Sequence, residues 1–371
     1  MNAPENRVRI AIARVTLLFG IFFLIACGLG YPILNRFDPR QTPGLSDVKN
    51  YAALVTGTPI LDAGHVRFRV LVPWLATPFY WIARGRIASW DPVMFGLLVA
   101  DSLFVAGTAV LIVLLGRSFG NGQADDSATG LVGALLYLVN FAVPNLRLVG
   151  LVDAGEGFFL LAMLWSLSEL KLWLLLVIAV LGALTKESFI PYSIVLTAAW
   201  WFSTKHDRGR AHNPFLPSAA WILISWALSL ATMLVLQWSI SGSFVSPLQF
   251  GLALHRGSNY LGHFAASLYD RNLWYIFLWL LPTAIPNLKR LPQAWLIPVG
   301  ATCVMAFLMD AYYGGAPGTV GRALFSIAGP VLSLSSAFLL LQTAASLPAN
   351  ARILPLSSAG FHRALPTNRA V

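Results

Sequence analysis

The sequence predicts an all-α polytopic membrane protein with about ten transmembrane helices. Three observations carry this. Apolar residues make up 57% of the 371 residues and charged residues 11%, against about 45–50% and about 25% in soluble domains. Mean hydropathy is +0.70. Apolar segments recur along the chain at roughly 13–33, 92–116, 129–146, 155–170, 172–185, 188–204, 216–239, 273–287, 294–310 and 323–343. Several approach the ~20 residues that cross a ~30 Å hydrocarbon core.

Composition excludes several function classes. Cys27 and Cys303 lie inside apolar segments, too few for a disulfide framework or a four-ligand zinc site. No Walker loop and no GxGxxG stands in the chain. The net charge is +10, but no soluble basic face exists for nucleic acid. In a membrane protein, positive charge reports orientation first, then anionic lipid or phosphate ligands.

The first span follows Arg7, Arg9 and Arg14 and is read as a helix that happens to contain Cys27, not as a lipoprotein signal. With the N-terminus cytoplasmic, the inner side receives Arg117, Lys171, Lys205, Arg208, Arg210, Lys289 and Arg290, and the tail arginines Arg352, Arg363 and Arg369. This fits the positive-inside rule. Residues 34–91 form a long first outer loop. Within it, Val70–Ala83 is apolar and flanked by arginines, and its length predicts an interfacial helix rather than a span. Leu172–Thr185 is short for a span and predicts a tilted or broken helix. Residues 240–272 form a second outer loop rich in Ser, Gly, His and aromatics. Residues 1–343 thus read as one transmembrane domain, and 344–371 as a disordered cytoplasmic tail.

The outer side also carries much of the remaining charge, including Arg67, Arg69, Arg147, Lys186 and Arg322 with Asp47, Asp153, Glu156 and Glu187. Charge is costly at membrane depth and is functional there more often than elsewhere. Asp47 reads either as the N-cap of a short helix or as a carboxylate able to take a proton from a hydroxyl. In His65-Val66-Arg67-Phe68-Arg69, two cations open an apolar helix, where the dipole disfavours them unless an anion neutralises them. A phosphate would do so; the rival is snorkelling to lipid head groups. Lys186 and Glu187 interrupt two apolar segments, either self-neutralising or with the lysine meeting a phosphate. Asp153 and Glu156 lie one turn apart at the start of a span, as dipole-favoured acids or as a pair able to hold a divalent cation or a sugar; Arg147 is their expected partner. Tyr312-Tyr313-Gly314-Gly315-Ala316-Pro317-Gly318 precedes Arg322, a Gly-rich loop able to close on a ligand or an interfacial anchor. Asp101 is an acid within the second span.

Asp47 and Tyr51 in the first outer loop, the segment Arg67–Pro73 and the stretch Leu184-Thr185-Lys186-Glu187-Ser188 together resemble the GT-C superfamily of integral-membrane glycosyltransferases, in particular uncharacterised bacterial members. The resemblance implies a bacterial inner-membrane enzyme. It would transfer a sugar from a polyprenyl-phosphate donor to a glycan, lipid or protein acceptor at the extracytoplasmic face. Asp47 would be the general base or an acceptor-positioning carboxylate. Arg67, Arg69, Lys186 and Arg322 would hold the donor phosphate. Asp153 and Glu156 would bind hydroxyls or a divalent cation. Tyr51, His65, Arg147, Glu187 and Tyr313 complete the expected binding residues. Two other classes stay open: a flippase for a lipid-linked sugar, and a non-enzymatic partner in envelope assembly.

Overall fold

The computed structural model describes residues 3–36, 47–60, 64–119, 124–207, 215–244, 259–313 and 319–346. Every regular element among them is helical: α1 (Ala3–Arg36), α2 (Val48–Thr56), α3 (Leu71–Ala83), α4 (Pro92–Phe119), α5 (Ala124–Val139), α6 (Asp153–Ser168), α7 (Leu174–Thr185), α8 (Phe189–Asp207), α9 (Phe215–Ser241), α10 (Tyr260–Leu268), α11 (Arg271–Ala284), α12 (Gln293–Tyr313), α13 (Thr319–Ile327) and α14 (Gly329–Ser346). The tail beyond Ser346, the glycine-rich 314–318, and Arg208 and Arg210 lie outside the described residues.

Among the described residues, five helices are long and apolar enough to cross a membrane: Arg9–Asn35, Pro92–Ser118, Ser218–Ser241, Gln293–Tyr313 and Gly329–Ser346. The other expected spans are shorter or more polar. The 12 residues of α7 cover only about 18 Å at 1.5 Å per residue. The expected span 129–146 stops at Val139, because Pro144 and the Asn140 side chain, which accepts from Ala142 N at 2.9 Å, divert the backbone into a wide turn over Val143–Arg147. The expected span 323–343 divides at Ala328, just before Pro330. Residues 344–346, expected in the tail, are still helical.

α4 is the axis of the bundle. It packs against α1, α3, α5 and α6, and most of it is buried inside the protein. α1 and α9 are peripheral and present Leu17, Leu24 and Val235 outward, as lipid-facing helices do. α3, expected as an interfacial helix, packs lengthwise along α4. Its buried stripe, Val72, Ala76, Tyr80 and Ala83, recurs every three to four residues and faces α4. Gly96 of α4 sits so close to Ala76 O and Tyr80 N that a Cβ there would lie 2.7 Å from the carbonyl. Further along α4, Phe104 and Val72 both meet Gly155. The two helices therefore run antiparallel side by side. The N-terminus of α3 is carried to the level of Phe104, about 18 Å along α4 from Pro92. The backbone N–H of Val70 donates to Leu184 O at 3.0 Å, tying this end to the end of α7.

Candidate functional site

Charged residues from five separate stretches of chain converge at the inner end of α3. The first group is built on Arg69, which is 7% exposed. A single helical turn, Val66–Phe68, aims it inward from the end of the loop. Its Nε and Nη2 donate to Glu187 Oε2 and Oε1 at 2.8 and 2.5 Å, a two-pronged pairing. Its Nη1 donates to Asp47 Oδ2 at 3.1 Å and to the Tyr51 hydroxyl at 2.9 Å. His65 Nε2 lies 3.5 Å from Glu187 Oε1.

The second group is built on Lys186. Its Nζ donates to Asp153 Oδ1 at 2.7 Å and Glu156 Oε2 at 3.2 Å. The Ser188 hydroxyl donates to the other Glu156 oxygen. Arg322 Nη1 stands 3.5 Å from Asp153 Oδ2. Arg147 serves the backbone: Nη1 donates to the Asp153 carbonyl, and Nη2 to the Arg322 carbonyl at 2.8 Å and to Ser326 Oγ at 2.7 Å. It joins the start of α6 to α13 rather than pairing with the Asp153 carboxylate.

Lys186 and Glu187 are neighbours, yet they serve different groups. The reason is local. Lys186 is extended, with φ −163° and ψ 140°, and successive side chains of extended backbone point to opposite sides. The self-neutralising reading of this pair does not hold. The N-cap reading of Asp47 fails in the same way. Asp47 precedes α2 but makes no side-chain capping bond, and its carboxylate turns to Arg69 instead.

The structure also answers the question of the misplaced cations before α3. For Arg69 the neutralising anions are protein carboxylates, Glu187 and Asp47. Arg67 has no acidic partner among the described residues. Its guanidinium lies 4.9 Å over the Phe68 ring and its Nε is buried without a hydrogen-bond partner. Between Asp153 and Glu156, where a divalent cation would sit, the Lys186 ammonium sits instead. Among the described residues no group of three or more His, Cys, Asp or Glu could hold a metal ion. Tyr313 ends α12 beside α13, edge-to-face on Tyr312 with centroids 5.2 Å apart. The roles of Ser326 and of the Asp153 and Arg322 carbonyls are unreadable from sequence, since one is a lone hydroxyl and the others are backbone.

Burial and charge act in opposite directions on the acids. Burial raises the Glu187 carboxyl, but Arg69 outweighs it and holds Glu187 at about 2. Burial likewise raises Asp153, and Lys186, Arg322 and Arg147 together bring it well below the usual carboxylate range. Burial pushes the Tyr51 phenol up and the His65 imidazole down, so Tyr51 stays protonated and His65 neutral at pH 7. The Glu187 stabilisation is fully present above its unfolded value of 4.5 and is lost as pH falls towards about 2. Thermal unfolding of the purified chain from pH 7 to pH 3 should therefore fall below about pH 4.5 more steeply for wild type than for Glu187→Gln. Parallel curves would contradict the pairing.

No protein-family model, no curated protein and no solved structure matches this chain.

Proposed function

We propose that the chain is a ten-span glycosyltransferase of the bacterial inner membrane, with both termini cytoplasmic. It moves a sugar from a polyprenyl-phosphate donor to a glycan, lipid or protein acceptor at the extracytoplasmic face. The observation that supports this most is Asp47. It is a carboxylate with a third of its side chain open to solvent, held from behind by the buried Arg69, which stands two residues from Arg67, a cation with no acidic partner among the described residues. A base must be reachable by the acceptor and fixed in direction. The resemblance of Asp47, Arg67–Pro73 and Leu184–Ser188 to GT-C enzymes points the same way.

In this reading Asp47 takes the proton from an acceptor hydroxyl as its oxygen bonds to the anomeric carbon. The bond from that carbon to the donor phosphate oxygen breaks, and the phosphate leaves with the electron pair. Attack opposite the leaving group inverts the anomeric centre. Arg69 fixes the base and has little capacity left for phosphate. Arg67 is the cation available to the leaving phosphate, and Arg322 is a further candidate. Asp153 and Glu156 hold Lys186 in place.

The test is transfer by purified protein in lipid, supplied with a panel of polyprenyl-phosphate sugars and a membrane extract as acceptor source. Sugar moving from lipid to acceptor is expected. Passage of intact lipid-linked sugar across the bilayer without transfer would replace this reading with a flippase. Within the same assay, Arg67→Gln should raise the donor concentration for half-maximal rate about tenfold or more, as expected for a lost charge-assisted contact. An unchanged concentration would remove Arg67 from the donor site.

A further inference from the structure

Asp101 lies in the middle of α4, is 0% exposed, and belongs to neither charge group. Its Oδ2 accepts the Gly150 N–H at 3.0 Å, and its Oδ1 is buried with no hydrogen-bond partner among the described residues. Gly150 is the midpoint of an irregular stretch, 148–152, every residue of which is buried. Buried irregular backbone is tolerated only where the protein itself satisfies its polar groups. The stretch is short, and what it joins matters: Arg147 at one end and Asp153 at the other. Gly150 takes φ +77°, a left-handed turn open to glycine, and a Cβ there would also press on Leu97 and Met94. The turn brings the Arg147 guanidinium back to the Asp153 carbonyl, which fixes where the Asp153 carboxylate and hence Lys186 stand.

We propose that Asp101 is a positioning residue for the site: by holding the Gly150 N–H it sets the turn that aims Arg147 and Asp153, and through Asp153 it locks Lys186. Placing this in a transfer site rests on the glycosyltransferase reading, but the geometry can be read without it. Lys186 is the reporter, because its side chain is 17% exposed and its amine is held by two carboxylates.

The experiment measures acylation of Lys186 by a water-soluble N-hydroxysuccinimide ester, by peptide mass spectrometry, on the full chain in detergent. Asp101→Leu keeps the branched shape and loses the acceptor; Asp101→Asn keeps an oxygen acceptor. Asp101→Leu should label Lys186 about tenfold faster, as loss of a buried hydrogen bond would release it. Asp101→Asn should stay close to wild type, a rescue that a general packing defect would not show. Gly150→Ala reaches the same turn from the other side and should also accelerate labelling, so a poorly folding Asp101→Leu does not decide the matter. Wild-type labelling rates in folded Asp101→Leu or, where only it folds, in Gly150→Ala would overturn the proposal. So would equal acceleration in Asp101→Leu and Asp101→Asn. Absence of sugar transfer in wild type would count against the function and leave this result standing.

Discussion

Replacing Arg69 with alanine is expected to destabilise the full chain by about 3 kcal/mol, the cost of leaving buried or partly buried charge uncompensated. One guanidinium serves Glu187 with two bonds, Asp47 with one and Tyr51 with one. Its removal leaves two carboxylates facing each other's field and a buried phenol without its donor. The estimate sits at the low end of the usual range because Asp47 and Glu187 keep some solvent contact. Arg69→Lys should recover only part of the loss, since an ammonium cannot meet both Glu187 oxygens and Asp47 in the plane that the fork provides. Thermal unfolding of the three proteins in the same detergent measures this. A near-wild-type Arg69→Ala would mean that the network contributes little to the fold. Loss of transfer in any surviving Arg69→Ala protein is expected as well, because Asp47 would no longer be aimed.

The helical class and the charged stretches of the site were legible in the sequence, because both depend on local signals. Hydropathy marks apolar helices, and isolated charges in an apolar chain stand out wherever they fall. Asp47, Tyr51, Arg69, Asp153, Glu156, Lys186, Glu187 and Arg322 do meet in two adjoining groups. Their pairing was not legible. Glu187 follows Arg69 by 118 residues, and which of Lys186 and Glu187 turns to which group depends on one extended residue between α7 and α8. The count of spans also exceeded what hydropathy can decide. α6 is apolar because other helices bury nearly all of it, and hydropathy does not distinguish a helix facing protein from one facing lipid. The packing of α3 was not legible either: its length says nothing of its neighbours, while the close approach at Gly96 stands it along α4.

Asp47 is the centre of the proposed site. Its carboxylate would be the atom group that removes the acceptor proton, and an amide cannot take one. Asp47→Asn keeps shape and a carbonyl oxygen able to accept from Arg69, so the fold should stay close to wild type. A general base contributes about 10²–10⁴-fold to rate, and the variant should lose transfer by that factor at saturating donor. The donor concentration for half-maximal rate should change little, because Asp47 does not hold the phosphate. The decisive measurement is therefore the rate of sugar transfer from polyprenyl-phosphate sugar by wild type beside Asp47→Asn, each shown to be folded by its unfolding curve. Transfer by wild type and its near-complete loss in the variant is the predicted result. Equal transfer by both would move the base elsewhere in the cluster, and no transfer by either, with acceptor supply verified, would contradict the enzymatic reading.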